Sequence, residues 1–322
     1  DSYLTSFQAR VLDEHFPIAL EVLADLVLDP LLREEDLALE REVVLEEIAT
    51  VEDTPDDLVF DLHSAALWGD HPYGHTILGT RETVAAMPAD AVRELHALRY
   101  AGQNMLVAAA GHVEHAEVVE RAESLFGGVP RGEAYPALPS PASLSGDSLV
   151  QRPSAQAHLV FGGAIPGHSD PARYPLVLLS SALGGGMSSR LFQRVREELA
   201  LAYSVFTFQS FYSLAGISGV YLGTRPASVE QAVDAVRQEL ARVASEGLGA
   251  TELGQTKQQV KGQIMLSLES TGSRLYRLAG FALHDEPFLT LDEVLKRLAA
   301  VTEAEVMEVA ARYFSPDALL LL

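Results

Sequence analysis

Three landmarks occur twice along this chain in the same order, and they limit its fold more than any other feature. His15-Phe16-Pro17-Ile18-Ala19-Leu20 resembles Arg173-Tyr174-Pro175-Leu176-Val177-Leu178, each opening an apolar helix. Ala65-Ala66-Leu67-Trp68-Gly69-Asp70-His71-Pro72 resembles Gly280-Phe281-Ala282-Leu283-His284-Asp285-Glu286-Pro287. Arg99-Tyr100 precedes a turn and the apolar run Met105–Ala110, as Arg312-Tyr313 precedes Ser315-Pro316-Asp317 and Leu319–Leu322. Each match is weak alone, but the shared order marks a duplicated unit. Strand-like and helical stretches mix within each copy. The expected fold is therefore α+β, with two homologous domains, each an antiparallel-rich sheet flanked by helices, and the first domain shortened at its front. Pro130, Pro136, Pro139, Pro141 and Pro153, with Gly132 and Gly146, break all periodicity between the copies. This places an N-terminal domain at 1–130, a linker at 131–152 and a C-terminal domain at 153–322.

Residue-by-residue patterning fills in the elements. Alternation over 3–12 predicts a strand, and Phe16 to Leu28 a helix stopped by Asp29-Pro30. Further helices are expected at about 33–51, 58–67, 89–100 and 114–126, with a short strand at 105–110. Much of the second domain's extra length is strand-like sequence at 203–223. Asp1-Ser2-Tyr3-Leu4-Thr5 reads as the middle of a strand. The natural chain is accordingly expected to start upstream, together with any targeting signal.

The chain has 322 residues, 48% of them hydrophobic, no cysteine and a formal charge of −22. Its apolar content supports folded cores despite the charge. The lack of cysteine excludes disulfides, a thiol nucleophile and thiolate metal sites. The acidity excludes nucleic acid as a partner, because phosphate binding needs Lys and Arg. No stretch is long and apolar enough to span a bilayer. Compartment is not readable; a soluble cytoplasmic protein is the default expectation. The charge is uneven, with 28 acids against 8 bases in residues 1–150 and 17 against 15 thereafter. Between Glu34 and Asp61 there are 12 acids and one base, Arg41.

Most of that run falls on the helix at 33–51. Glu40 and Glu47, seven residues apart, share a face two turns long. Val43 and Val44 lie on the same face, so both acids border an apolar stripe. A carboxylate there needs a cation, hydrogen-bond donors or water. Metal binding, salt bridges and simple exposure all satisfy the spacing.

A family resemblance narrows the chemistry. Glu40-Arg41-Glu42-Val43-Val44-Leu45-Glu46-Glu47-Ile48, followed by Pro55-Asp56-Asp57-Leu58-Val59-Phe60-Asp61, resembles the pitrilysin/insulysin family of inverted zincins, in the branch of the bacterial and mitochondrial processing peptidases. Pro72-Tyr73-Gly74 with Ile77-Leu78-Gly79-Thr80 matches the loop that follows. Gly184-Gly185-Gly186-Met187-Ser188-Ser189-Arg190-Leu191-Phe192, then Arg196-Glu197-Glu198-Leu199 through Ala202-Tyr203-Ser204, matches the second-domain signature. The similarity spans essentially the whole chain.

The resemblance implies one zinc ion per complete subunit, held by the two histidines of an H-x-x-E-H helix and by a later glutamate. Glu47 stands at that glutamate, and Glu40 at a second acid that supports the metal site from behind. The H-x-x-E-H glutamate, the family's general base, has no counterpart here. His112-Val113-Glu114-His115 has the wrong spacing and reads as a surface turn. The missing motif is expected upstream of Asp1, so these residues alone should bind zinc weakly and be inactive. By the repeat, Glu47 falls near Gln263 and Glu40 near Thr256, so the second copy lacks the carboxylates. Arg196 and Tyr203 match the family's Arg/Tyr pair, two hydrogen-bond donors for a substrate carbonyl or oxyanion. The family places a glycine between them where this chain has Ala200. Gly184–Gly186 is not a phosphate loop; it reads as a turn near bound peptide or a hinge. His71, His75 and Trp68 are assigned to structure.

The expectation is a zinc metalloendopeptidase that cleaves peptides or unfolded segments in an enclosed chamber, built by pairing two-domain subunits into a homodimer or heterodimer. The rival is a non-catalytic family subunit, either the Arg/Tyr-bearing partner of an active one or a structural core subunit.

Overall fold

Alternating and small-residue stretches between 157 and 224 build the single sheet found among the described residues. The computed structural model describes residues 4–134, 136 and 138–322. Asp1 to Tyr3, at the front of the expected 3–12 strand, lie outside them. The strands are β1 (Gly146–Asp147), β2 (Ala157–Pro166), β3 (Ala202–Phe211), β4 (Ala215–Thr224) and β5 (Leu320–Leu321). They are ordered β1-β5-β2-β4-β3, antiparallel except for the β1–β5 pair. β3 and β4 are the strands expected at 203–223, and β1 lies within the stretch expected as linker.

Twelve α-helices complete the described residues: α1 (Phe16–Leu28), α2 (Glu34–Glu52), α3 (Pro55–Trp68), α4 (Arg81–Ala86), α5 (Ala89–Arg99), α6 (His115–Phe126), α7 (Arg173–Gly184), α8 (Val229–Glu246), α9 (Ala250–Ser267), α10 (Thr271–Leu283), α11 (Leu291–Ala300) and α12 (Glu303–Tyr313). The mixed α+β class is as the patterning indicates. Each landmark pair also falls in matching elements. Phe16 and Arg173 open α1 and α7, and α5 and α12 end at Arg99 and Tyr313, each ahead of a 3-10 turn. The helices α3 and α10 are each followed by a left-handed residue, Gly69 (φ 55°) and Asp285 (φ 52°).

The chain groups into two compact units, each drawn from three segments. One comprises the described residues of Asp1–Ala49, Ile77–Pro139 and Leu266–Phe288; the other comprises Thr50–Thr76, Ser140–Met265 and Leu289–Leu322. Helix α3 thus belongs with the sheet, and α10 with the other unit.

In the sheet-bearing unit, Leu159, Phe161 and Ile165 of β2 and Val220 and Leu222 of β4 share one face, as period-two alternation requires. They form a continuous core with Leu176, Leu179 and Leu183 of α7, Val236 and Leu240 of α8, and Val306 and Ala310 of α12. Helix α3 covers the opposite face. Its Phe60 stacks on Tyr221 at 5.4 Å and meets Phe208 edge-on at 5.1 Å. Its His63, 1% exposed, sits over Gly162, where a Cβ would come within 2.4 Å of the ring, and Nε2 bonds the Leu320 carbonyl at 3.0 Å. Burial holds the His63 pKa below its usual value. Nearby, Tyr221 bonds His158 Nδ1 through its hydroxyl (2.9 Å). Burial, with Asp56 and Asp57 adding repulsion, pushes the Tyr221 phenol up to about 12.

The second unit is helical. Arg93 donates to the Leu32 carbonyl through Nη2 (2.8 Å) and Nε (3.1 Å), pinning the turn in which Leu32 adopts φ 41°. His96 Nε2 bonds the Val27 carbonyl at 2.8 Å. The strands expected at 3–12 and 105–110 do not form among the described residues. Alternation marks extended backbone, but a strand also needs a neighbouring ladder. Residues 4–12 are exposed and held through side chains instead, with Phe7 edge-on to Tyr100 at 6.3 Å and Tyr276 Oη donating to Gln8 at 2.8 Å. His112 and His115 flank a surface turn, with His112 Nδ1 2.6 Å from Asp13 Oδ2.

Candidate functional site

Arg196 and Tyr203 come together because the backbone between them departs from regular geometry three times. Phe192–Glu198 is a π-helix, a rare wide turn common at functional sites. It ends on Leu199 N–H bonded to the Arg194 carbonyl (3.2 Å) and Leu201 N–H reaching back six residues to the Val195 carbonyl (2.9 Å). Closing that wide turn requires a left-handed residue, and Ala200 takes φ 51°. Strand β3 then opens on a β-bulge. Ala202 faces Thr224 and Ser204 faces Gly223, so Tyr203 is the extra residue. Bulges re-aim side chains, and Tyr203 is 79% exposed.

The outcome is a guanidinium held by two rings. Arg196 Cζ lies 4.7 Å from the Phe192 centroid and 5.2 Å from that of Tyr203, within cation–π range. Its ion-pair contact, Glu197, is at 3.9 Å, too long for a hydrogen bond. Both residues border a cleft of about 300 Å³ that Gln156, Thr224 and Arg225 also line. The sequence reading missed Gln156 and Arg225. The register that pairs Thr224 with Ala202 brings Arg225 to the Tyr203 end of the sheet, and the sequence alone does not show that register.

Arg190, from the Gly184–Arg190 motif, has a structural task. Its guanidinium forks onto Glu252 (Nε 2.7 Å, Nη2 2.6 Å), also donates to the Gly247 carbonyl, and lies 3.5 Å from the buried Glu239. Gly184 is required by close packing, since a Cβ there would stand 2.4 Å from Thr207 N. Trp68 and His71 pack edge-on against Tyr73.

Glu40 and Glu47 lie on α2, both exposed. Among the described residues no three His, Cys, Asp or Glu side chains are grouped to hold a metal ion. The residues present therefore do not fit a zinc centre by themselves, because one hydrated carboxylate supplies a single ligand where zinc takes three or four. No helix among the described residues is long and apolar enough to cross a membrane.

Residues 86–260 match the family described as peptidase M16 inactive domain, and residues 1–81 match insulinase, peptidase family M16. An uncharacterised zinc protease of Streptomyces coelicolor is 38% identical, covering 95% of this chain and 68% of that protein. An uncharacterised zinc protease of Bacillus subtilis is 37% identical, covering 99% and 78%. In fold, the chain is similar to a peptidase M16 inactive domain from Pseudomonas fluorescens, with TM-score 0.88 at 22% identity over 94% of this chain and 73% of that one. A chain of complex III from Candida albicans gives TM-score 0.86 at 18% identity, over 97% and 77%. The chain belongs to peptidase family M16.

Proposed function

We propose that this chain is the peptide-holding part of a zinc-dependent metalloendopeptidase acting on peptides or unfolded segments in an enclosed chamber. The observation that carries the reading is the Arg196–Tyr203 pair, assembled by a π-helix, a left-handed alanine and a bulge. Three costly irregularities converging on two donors argue for a site rather than for packing. In this reading both residues donate to a peptide carbonyl in the cleft, Glu47 offers one carboxylate toward zinc, and Glu40 supports it. The chamber is completed by pairing with a second copy or a related subunit.

The test is binding of a fluorescent unstructured peptide, followed by anisotropy. Arg196→Ala and Tyr203→Phe should each weaken binding about five- to tenfold, the worth of one lost hydrogen bond. Unchanged affinity in both variants removes the reading. The chain alone should not hydrolyse the peptide. Hydrolysis abolished by both a chelator and Glu47→Gln would show that it is a complete enzyme.

A second reading, a non-catalytic subunit of the family, is supported by the match of residues 86–260 to an inactive-domain description. Pairing with an active family subunit that restores hydrolysis, with Glu47→Gln in this chain having no effect, favours it.

A further inference from the structure

We propose that the depression between α7, β3 and α9 is a second site, a pocket for a primary carboxamide, the side chain of Asn or Gln in an extended peptide. The proposal rests on the peptide-binding reading above and adds a specificity to it. The depression holds about 190 Å³ and is lined by Val177, Ser180 and Ser181 of α7, Thr207 and Gln209 of β3, and Gln263 of α9, among others.

Two polar atoms in its wall are left over. Ser181 Oγ and Gln209 Oε1 are buried and have no hydrogen-bond partner among the described residues. Buried polar groups are almost always paired, so both atoms point to a missing partner. Thr207 Oγ1 already donates to the Ser180 carbonyl (2.7 Å) and has only acceptor capacity to offer. The wall thus presents hydroxyl and amide groups and no charged side chain. An ammonium, guanidinium or carboxylate would enter without a counter-charge. A primary carboxamide both donates and accepts, so it pairs with the Gln209 amide in either orientation and still reaches a hydroxyl.

Position supports the same occupant. β3 is the sheet's outer strand, the kind of edge to which an extended chain adds. Thr207 and Gln209, two residues apart on it, face the depression together.

The experiment uses the full 322-residue chain and fluorescein-labelled nine-residue peptides of alternating Thr and Val that differ only at the centre, as Asn, Gln, Leu or Asp. Asn or Gln should bind about tenfold tighter than Leu and Asp. Ser181→Ala and Gln209→Met should bring the Asn peptide to the level of the Leu peptide and leave the Leu peptide unchanged, which also verifies folding. Arg196→Ala should weaken all four alike. Equal affinity for all centres, as from a pocket holding only water, overturns this proposal while leaving peptide binding standing. Failure of every peptide to bind overturns both.

Discussion

Replacing Ala200 by glycine should stabilise the protein. Ala200 joins the π-helix that carries Arg196 to the bulge that carries Tyr203, and its φ of 51° is in the left-handed region. An L-residue with a Cβ loses about 1–2 kcal/mol in that conformation relative to glycine. Glycine gives back about 0.4–1 kcal/mol through the greater freedom of the unfolded chain. Ala200 is exposed, so deleting its methyl opens no cavity and forfeits little buried area. The net expectation is a gain of about 0.5–1 kcal/mol, or about 2 °C in Tm for a unit of this size. Urea unfolding should show a higher midpoint with the same slope. Ala200→Val, which puts a β-branched side chain at positive φ, should move the midpoint the other way. If Ala200→Gly is less stable than the parent by 0.5 kcal/mol or more, a threshold about half the expected effect, the account of this turn is wrong.

Two further expectations concern the sheet-bearing unit. Arg190→Met breaks the fork onto Glu252 and leaves the buried Glu239 with only Arg242, at 2.8 Å. The loss should be about 3 kcal/mol in urea unfolding, partly recovered in Arg190→Met/Glu239→Met; a single variant as stable as the parent would refute it. His63 titrates below its ordinary value because it is buried, so the unfolded chain takes up the proton first. Stability should be flat above the unfolded pKa of about 6.5 and fall by up to about 1.4 kcal/mol per pH unit below it, until the folded pKa is passed. His63→Gln should lack that component between pH 7.5 and 5, and parallel pH profiles for the two proteins would dismiss it.

The helices were legible because each buries one stripe, and a stripe repeats. α1 runs from Phe16 to Leu28 as its pattern reads, and α2 departs from expectation by one residue at each end. Arg196 and Tyr203 were legible through their motif, but not how they meet. A π-turn, one positive φ and one bulge are single events that leave no period in the sequence. Ser181 was overlooked for a different reason. It lies on a helix that reads as apolar, and only the packed structure shows its hydroxyl buried without a partner among the described residues. The segments at 4–12 and 105–110 showed alternation and a short apolar run respectively, patterns that fit a strand but say nothing of whether a ladder partner is present. Periodicity likewise says that α3 has a buried face, not which sheet it covers.

The three-segment make-up of each unit bears on how the protein emerges from the ribosome. The unit that begins with α1 is not complete until α10 and Phe288 have been made, and the sheet closes only with β5 near Leu322. Folding one finished domain at a time, N-terminal first, is the ordinary course for a chain of this length. Here neither unit is available early: the one holding α1 waits for residues up to Phe288, and the sheet waits for Leu320–Leu321. Cleavage within 131–152 would accordingly free two pieces, each still missing a helix that the other carries.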